Sequence, residues 1–494
     1  MLDEISQYSD IHHQKYQDYG SVEQLMHSFF EALSEKKGQS FPAVLRPMND
    51  GTETGRNRPL SKDLFESDIV LTVDQLKGIV LAERDRRLRK SGNRRVKRKV
   101  ITGAVYRCVP PLNKIQNLAT WKELIRSALK FWESETCVRW EENGPGVDRV
   151  VFFRVVVGIC DHQRIVAHEV GHSLGFWHEQ SRPDRDDYIR VIKKYIASGT
   201  EGNFVKRTAL ETDDMGVPFD LGSVMHYGPM AFTTDWSHIT IETKDPKYSH
   251  TIGQRAKPSF IDVKQVNRLY YVCGNSPLAC GNGGYPDPNN CNICKCPTGL
   301  GGQLIFKLHI SIALIGSCGG ELTATDEWKE LAFKGGKSVC YWRIKTGDKR
   351  IRLRVDSVSL RCDVTCRNFV EIKHNSDFQQ TGFRICCSED SDEVISEQNE
   401  VLIIYDSMDL DYEGGFTLRY VKDTGKPLPK RPAPQWVRGR ENRSFRGLGS
   451  KAGPIEKFIV NAIPQIRDPK RPIETIASIV TDFTVGQLLG VSRD

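Results

Sequence analysis

Residues 168–178 read HEVGHSLGFWH. On a helix, side chains four apart share a face, so His168 and His172 can hold one metal ion while Glu169 faces the open side of the site. Gly175 can then take a backbone conformation that ends the helix and turns the chain, bringing His178 in as a third ligand. Three neutral imidazoles suit zinc, and a fourth position left to water belongs to a catalytic site rather than a structural one. Zinc polarises a carbonyl and acidifies water, while Glu169 is placed to take the water's proton and pass it to a leaving amine. The expected chemistry is peptide-bond hydrolysis without a covalent intermediate. HExxH alone fits equally well a buried helix with satisfied histidines; Gly175 and His178 at their offsets favour the metal.

Further along, residues 223–230 read SVMHYGPM. The long histidine pattern and this second motif resemble the metzincins, whose Met turn floors the metal site; Met225 would be that residue. HEVGHSLGFWHEQSRPDRDDY together with SVMHY resembles one metzincin family, the astacins. The resemblance implies that Tyr227 is a phenol stabilising the oxyanion, where a donor is needed as negative charge develops. It also implies that Glu179 receives the new α-amino group of the mature enzyme. His226 reads as a turn histidine that packs.

These residues need elements to place them. TWKELIRSALKFW sets Trp121, Leu124, Ile125, Ala128, Leu129 and Trp132 at helical spacing, an amphipathic helix whose apolar stripe is core. Residues 1–98 read as a pro-segment. Within it FESDIVLT resembles the astacin motif whose aspartate blocks the fourth zinc position; Asp68 would be that residue, with Ser67 where the family has glycine. The alternative for this stretch is a surface strand. A basic run ending in RVKR places a furin-type cleavage after Arg98, and residues 99–273 then form the catalytic domain. By resemblance, Cys137 pairs with Cys273 across that domain. The family's segment between FFR and the zinc helix, with its cleft-edge strand, is largely absent here. Cys160 resembles one half of a second family disulfide, whose partner is missing here unless Cys108 substitutes. Because a substrate binds such an edge by strand addition, the shortening puts the groove in question.

Residues 274–303, with Cys280, Cys291, Cys294 and Cys296, resemble an EGF-like module with a GNGGY turn. The apolar stretch 304–317 reads as foreign to it, a retained non-coding sequence or a splice variant. Residues 318–421 resemble a CUB domain, with Cys318, Cys340, Cys362, Cys366, Cys386 and Cys387 as its disulfide candidates. Its strand-like runs include IRLRVDSVSL, NFVEIKH and EVLIIYDS. Asn368 stands where many CUB domains have an acidic calcium ligand. Residues 422–494 read as a basic, Pro-rich flexible tail with one glycosylation sequon at Asn442 and a final stretch able to form a short helix.

The expected fold class is α+β: a two-lobed metzincin-type zinc protease domain, a small disulfide-rich EGF-like module and an all-β CUB sandwich. The 14 cysteines point to an oxidising compartment. The chain starts without an apolar signal run, so the natural N-terminus is expected upstream. No stretch is long and apolar enough to span a membrane. The net charge of +7 comes with 63 acidic residues and gives little support to nucleic-acid binding, the alternative reading of the basic run. The module order resembles nematode astacins of the moulting and cuticle-remodelling group. It implies a secreted, extracellular endopeptidase with one Zn2+ per catalytic domain and a furin-type processing protease as partner. Its substrates would be matrix or cuticle proteins, collagens among them. The competing reading is a catalytically weak or inactive matrix-binding protein acting through its CUB domain.

Overall fold

The computed structural model describes residues 52–58, 66, 68–70, 105–108, 118–143, 149–154, 163–301 (except 210–211, 236, 271–272 and 275), 307–308, 318–423 (except 388–392) and 481–485. Arg98, Cys160 and Asn442 lie outside the described residues, as do most of 304–317 and most of the tail. The described part of residues 1–98 holds one helical turn, α1 (Glu53–Arg56), whose N-cap Thr52 accepts from the Gly55 amide at 3.0 Å. It also holds a two-residue strand, β1 (Ile69–Val70). That strand pairs antiparallel with β2 (Val105–Cys108), Ile69 opposite Tyr106 and Val70 opposite Val105.

The amphipathic stretch forms α2 (Leu118–Glu135), with Ile125, Ala128, Leu129 and Trp132 buried along one face. β3 (Trp140–Glu142) and β4 (Arg149–Arg154) follow, and then the histidine helix α3 (Gln163–Ser173). Trp132 ties the two helices together, its indole donating to the Ala167 carbonyl at 3.0 Å. In the sheet, β2 runs parallel to β4. The chain's last stretch departs from the helical expectation. Thr481–Val485 is a strand lying between β3 and β4, antiparallel to both. Its β-branched and aromatic residues favour extended backbone, and both neighbours offer ladder partners. The tail read as a flexible linker therefore contains at least one ordered element.

Beyond α3 the second lobe has little regular structure. β5 (Ile189–Val191) pairs with β6 (Ile241–Thr243), and Phe204, Tyr227, Phe232, Ile241 and Ile252 pack into one core. α4 (Phe260–Tyr270) begins with a reciprocal cap: Ser259 Oγ accepts from the Asp262 amide at 3.1 Å and Asp262 accepts from the Ser259 amide at 2.7 Å.

The small module is a hairpin, β7 (Tyr285–Asp287) and β8 (Asn290–Lys295), closed by the disulfides Cys273–Cys291 and Cys280–Cys294. Asn282 and Gly283 take positive φ (48° and 71°) in its GNGG turn. The expected Cys137–Cys273 bond is not formed. Cys273 lies 5.4 Å (Cα–Cα) from Cys291 and bonds to it, and Cys137 is a free thiol. Cys296 is in the thiol form as well, its Sγ 3.5 Å from the Cys294 carbonyl. Polar contacts join the module to α2 instead, including Lys295 to Glu135 at 2.9 Å and Asn289 to the Ser134 carbonyl at 3.1 Å.

Residues 318–423 form two packed sheets. One carries, in spatial order, Gly320–Thr323, Val339–Lys345, Glu400–Asp406, Phe369–Lys373 and Phe383–Ile385; the other carries Lys329–Gly335, Gly414–Lys422, Ile351–Ser359 and Val394–Ile395. Alternating residues of both sheets bury Trp342, Ile372, Val355, Tyr405, Phe416 and Leu418 between them. The bonds Cys318–Cys340, Cys362–Cys387 and Cys366–Cys386 staple the sandwich. Asn368, buried, accepts from the Asp409 amide at 3.0 Å. The sandwich sits directly on the second lobe: the Arg384 amide donates to Thr251 at 2.9 Å, Thr381 donates twice to Asp220, and Tyr248 joins the sandwich core.

Candidate active site

α3 presents His168, Glu169 and His172, all buried. The helix ends where Gly175 takes φ 103°, its amide bonding back to the His172 carbonyl at 3.0 Å. Positive φ suits a residue without a Cβ, and the turn delivers His178. Each imidazole has its Nδ1 held from outside the cluster: His168 Nδ1 at 2.8 Å from the Val224 carbonyl, His172 Nδ1 at 2.9 Å from the Phe176 carbonyl, and His178 Nδ1 at 2.7 Å from the Glu66 carboxylate. Those partners leave the three Nε2 atoms facing one another, and with a carboxylate oxygen of Asp68 the ligand atoms all lie within 4.8 Å. Asp68 stands 2.9 Å from His178 Nε2 and 3.3 Å from His168 Nε2. Among the described residues, buried Asp68 Oδ1 has no hydrogen-bond partner, His172 Nε2 lying 3.7 Å away. Three imidazole nitrogens plus one carboxylate are a donor set that fits zinc.

Glu169 is buried, and its Oε2 has no hydrogen-bond partner among the described residues. Burial first, and then the negative charges of Asp68 and Glu53, push its pKa well above the usual carboxylate range. Burial would also raise Asp68, but the surrounding imidazoles outweigh it and hold that carboxyl well below its ordinary value.

Met225 lies beneath the histidine helix, 1% exposed; a Cβ on Gly171 would stand 2.8 Å from its Sδ. The Met turn is held by Asp262, which accepts from Ser223 Oγ at 2.6 Å and from the Val224 amide at 2.9 Å. Tyr227 places its ring 4.5 Å from that of His178, and its hydroxyl donates to the Glu66 carbonyl at 2.6 Å. Glu179 accepts from the Asp220 amide at 3.0 Å, and burial pushes its pKa up to about 8. His226 packs edge-on against Phe219, with Nδ1 at 2.7 Å from the Tyr227 carbonyl.

The site thus gathers His168, Glu169, His172, His178, Met225, Tyr227 and Asp68, while Arg98 and Asn442 fall outside the described residues. Sequence alone does not reveal a second set of contacts between residues 53–66 and this site. Glu53 makes a paired ion bond with Arg255, one arm at 2.7 Å, and comes within 3.6 Å of His168 Nε2. Glu66 binds Arg207 as well as His178, and Arg58 donates to the Thr233 carbonyl at 2.7 Å. No local pattern announces the pairs made by Glu66 and Glu53, which join residues 141 and 202 positions apart. Asp262 was more accessible, since Ser259-x-x-Asp262 has the spacing of a capping box. Directly after Asp68, β1 pairs with β2.

A family model for the Astacin peptidases matches residues 156–271, and one for the CUB domain matches residues 318–420. Zinc metalloproteinase nas-30 of Caenorhabditis elegans is 51% identical over 533 residues, covering 100% of this chain and 71% of that protein. Zinc metalloproteinase nas-37 of the same organism is 37% identical over 454 residues, covering 83% of this chain and 56% of that protein. Among solved structures, high choriolytic enzyme 1, a hatching enzyme zinc-protease from Oryzias latipes, aligns at 26% identity, covering 34% of this chain and 90% of that one, with a TM-score of 0.28.

Proposed function

The chain belongs to the astacin family of zinc metallopeptidases, and from that premise we propose that it is the latent form of a secreted endopeptidase acting on extracellular matrix or cuticle proteins. The observation that carries this reading is Asp68 set among the three histidine Nε2 atoms, with Glu169 beside them. One zinc ion per catalytic domain would be held by His168, His172 and His178, with Asp68 as the fourth donor until the pro-segment is cut after Arg98 and leaves. Zinc supplies the Lewis acidity that polarises a peptide carbonyl and makes water nucleophilic near neutral pH.

The chain's own groups do the rest. Glu169, buried with one oxygen uncommitted, takes the proton of the attacking water and returns it to the departing amine. Loss of the Asp68 and Glu53 charges on release removes two influences that raise its pKa. Tyr227, whose hydroxyl meets a backbone carbonyl of the pro-segment, would donate to the substrate carbonyl oxygen as negative charge builds there. Glu179, buried and 3.5 Å from Arg182, is suited to receive the new α-ammonium. The β2 edge would pair with extended substrate backbone, as it does with β1. The module of residues 274–303 is assigned as EGF-like, and the cysteine-rich modules suit an extracellular setting.

The test is cleavage of a peptide library by zinc-loaded protein cut after Arg98. Cleavage that stops with a chelator and in Glu169→Ala supports the proposal. Zinc-bound protein that cleaves nothing refutes it and leaves the CUB-borne matrix-binding role.

A further inference from the structure

The sandwich turns tightly between its strands Phe369–Lys373 and Phe383–Ile385, and buried groups hold that bend. Glu371 accepts from the Gly382 amide at 3.0 Å and from Arg384 Nε at 2.9 Å. A Cβ on Gly382 would stand 2.4 Å from the Ile372 carbonyl oxygen, so the close approach needs glycine. The bend presents Gln380 and Thr381 to one loop of the catalytic lobe, residues 219–222. Gln380 donates to the Phe219 carbonyl at 3.0 Å. Thr381 donates its amide to Asp220 Oδ1 and its hydroxyl to Asp220 Oδ2, both at 3.1 Å. The fit is close, since a Cβ on Gly222 would lie 2.3 Å from the Thr381 Cβ.

This loop leads directly into the site. Asp220 is fully buried and gives its own amide to Glu179, the residue after His178, at 3.0 Å. Phe219, also fully buried, stacks on Tyr188 with ring centroids 4.7 Å apart and meets His226 edge-on. Ser223, Val224 and Met225 follow at once as the turn beneath the zinc helix. A buried carboxylate that loses a donor keeps its desolvation cost uncompensated, so the sandwich's hydrogen bonds help decide which conformation this loop holds. Resting on the reading that Glu179 and the Met turn serve a peptidase site, we infer that Thr381 is a positioning residue of that site. Through Asp220 the sandwich holds Glu179 and the Met turn in place, and it is therefore a structural part of the peptidase rather than an appended binding module.

Two measurements test this on the full chain. In the first, hydrogen–deuterium exchange of the uncut, zinc-loaded protein is compared for wild type, Thr381→Val and Thr381→Ser. Loss of the hydroxyl to a buried charge predicts exchange in residues 219–226 at least about tenfold faster in Thr381→Val. Strands Phe369–Lys373 and Phe383–Ile385 should keep their protection, and Thr381→Ser, which keeps the hydroxyl, should come within about twofold of wild type. Gln380→Ala should accelerate the same segment about threefold or more, and it decides the matter if Thr381→Val does not fold. Unchanged exchange in 219–226, loosening spread equally through the sandwich strands, or no recovery with Thr381→Ser overturns the inference.

In the second, the same variants are cut after Arg98 and assayed with a peptide substrate, zinc content being measured in each. Thr381→Val should lower kcat by about tenfold and change KM by less than about twofold, with Thr381→Ser recovering the rate. An unchanged kcat, or an effect confined to KM, contradicts the positioning role. If wild-type protein cleaves nothing although zinc is bound, the endopeptidase reading fails instead, and the exchange comparison alone decides whether Thr381 holds the loop.

Discussion

At the scale of single residues, the chemistry depends on which oxygen and nitrogen atoms are left uncommitted. The three histidines each spend Nδ1 on an acceptor, which leaves Nε2 for the metal, and Glu169 keeps Oε2 without a partner. Glu169→Gln removes the proton acceptor while preserving shape. Peptide cleavage should fall by about 10²–10⁴-fold with zinc content unchanged, as judged by parallel rate and metal measurements. Asp68→Ala should act in the opposite sense, because the uncut chain loses its block. Such a chain, left uncleaved at Arg98, should hydrolyse a reporter peptide that the uncut wild type leaves intact, and persistent silence would assign latency to Glu53 and Glu66 instead. The placement of HExxH, Gly175, His178, Met225 and Tyr227 was legible because it depends on spacing within one helix and one turn. Arg207 and Arg255 were not, since their partners lie in a distant segment and ordinary exposed arginines look the same in sequence.

At the scale of elements, the zinc helix works only because a turn supports it from below. Asp262, at the start of α4, fixes Ser223 and Val224, and Met225 then fills the space that Gly171 leaves open. Gly171→Ala would place a methyl group 2.8 Å from Met225 Sδ. Overpacking of this kind costs about 1–3 kcal/mol, so thermal unfolding of the catalytic domain should shift downward and Met225→Ala should relieve part of the shift. An unchanged midpoint in Gly171→Ala would show that Met225 is not a tight floor. Amphipathic α2 was readable from periodicity, because burial of one stripe is a local property. Strand pairing was less so. A five-residue stretch near the C-terminus carries no record of which open edge it joins, and Cys273 carries none of whether it bonds to Cys137 or to Cys291.

At the scale of the whole molecule, the sandwich is fastened to the catalytic lobe through Asp220, Thr251 and Tyr248 rather than merely linked to it. Inside the sandwich, His374 packs against Phe383 with both ring nitrogens buried and without partners. Burial, and then the positive charge of Lys247, lower its pKa to about 4. An unfolded chain takes up that proton near pH 6.5, so the native state's advantage is complete above pH 6.5 and is lost as pH falls toward 4. The contribution is on the order of 2 kcal/mol. Urea unfolding at about pH 7.5 and about pH 4.5 should show a smaller loss of stability in His374→Leu than in the wild type; equal losses would contradict it. The sandwich's disulfide candidates and strands were legible from cysteines and alternation, whereas its seat on the protease depends on surface polar groups that sequence does not mark.

Peptide cleavage by the zinc-loaded chain, before and after cutting at Arg98, tests the central claim most directly. The account predicts no cleavage before the cut, and afterwards cleavage that disappears with a chelator and in Glu169→Ala. Zinc-bound, cut protein that leaves every peptide intact would contradict it.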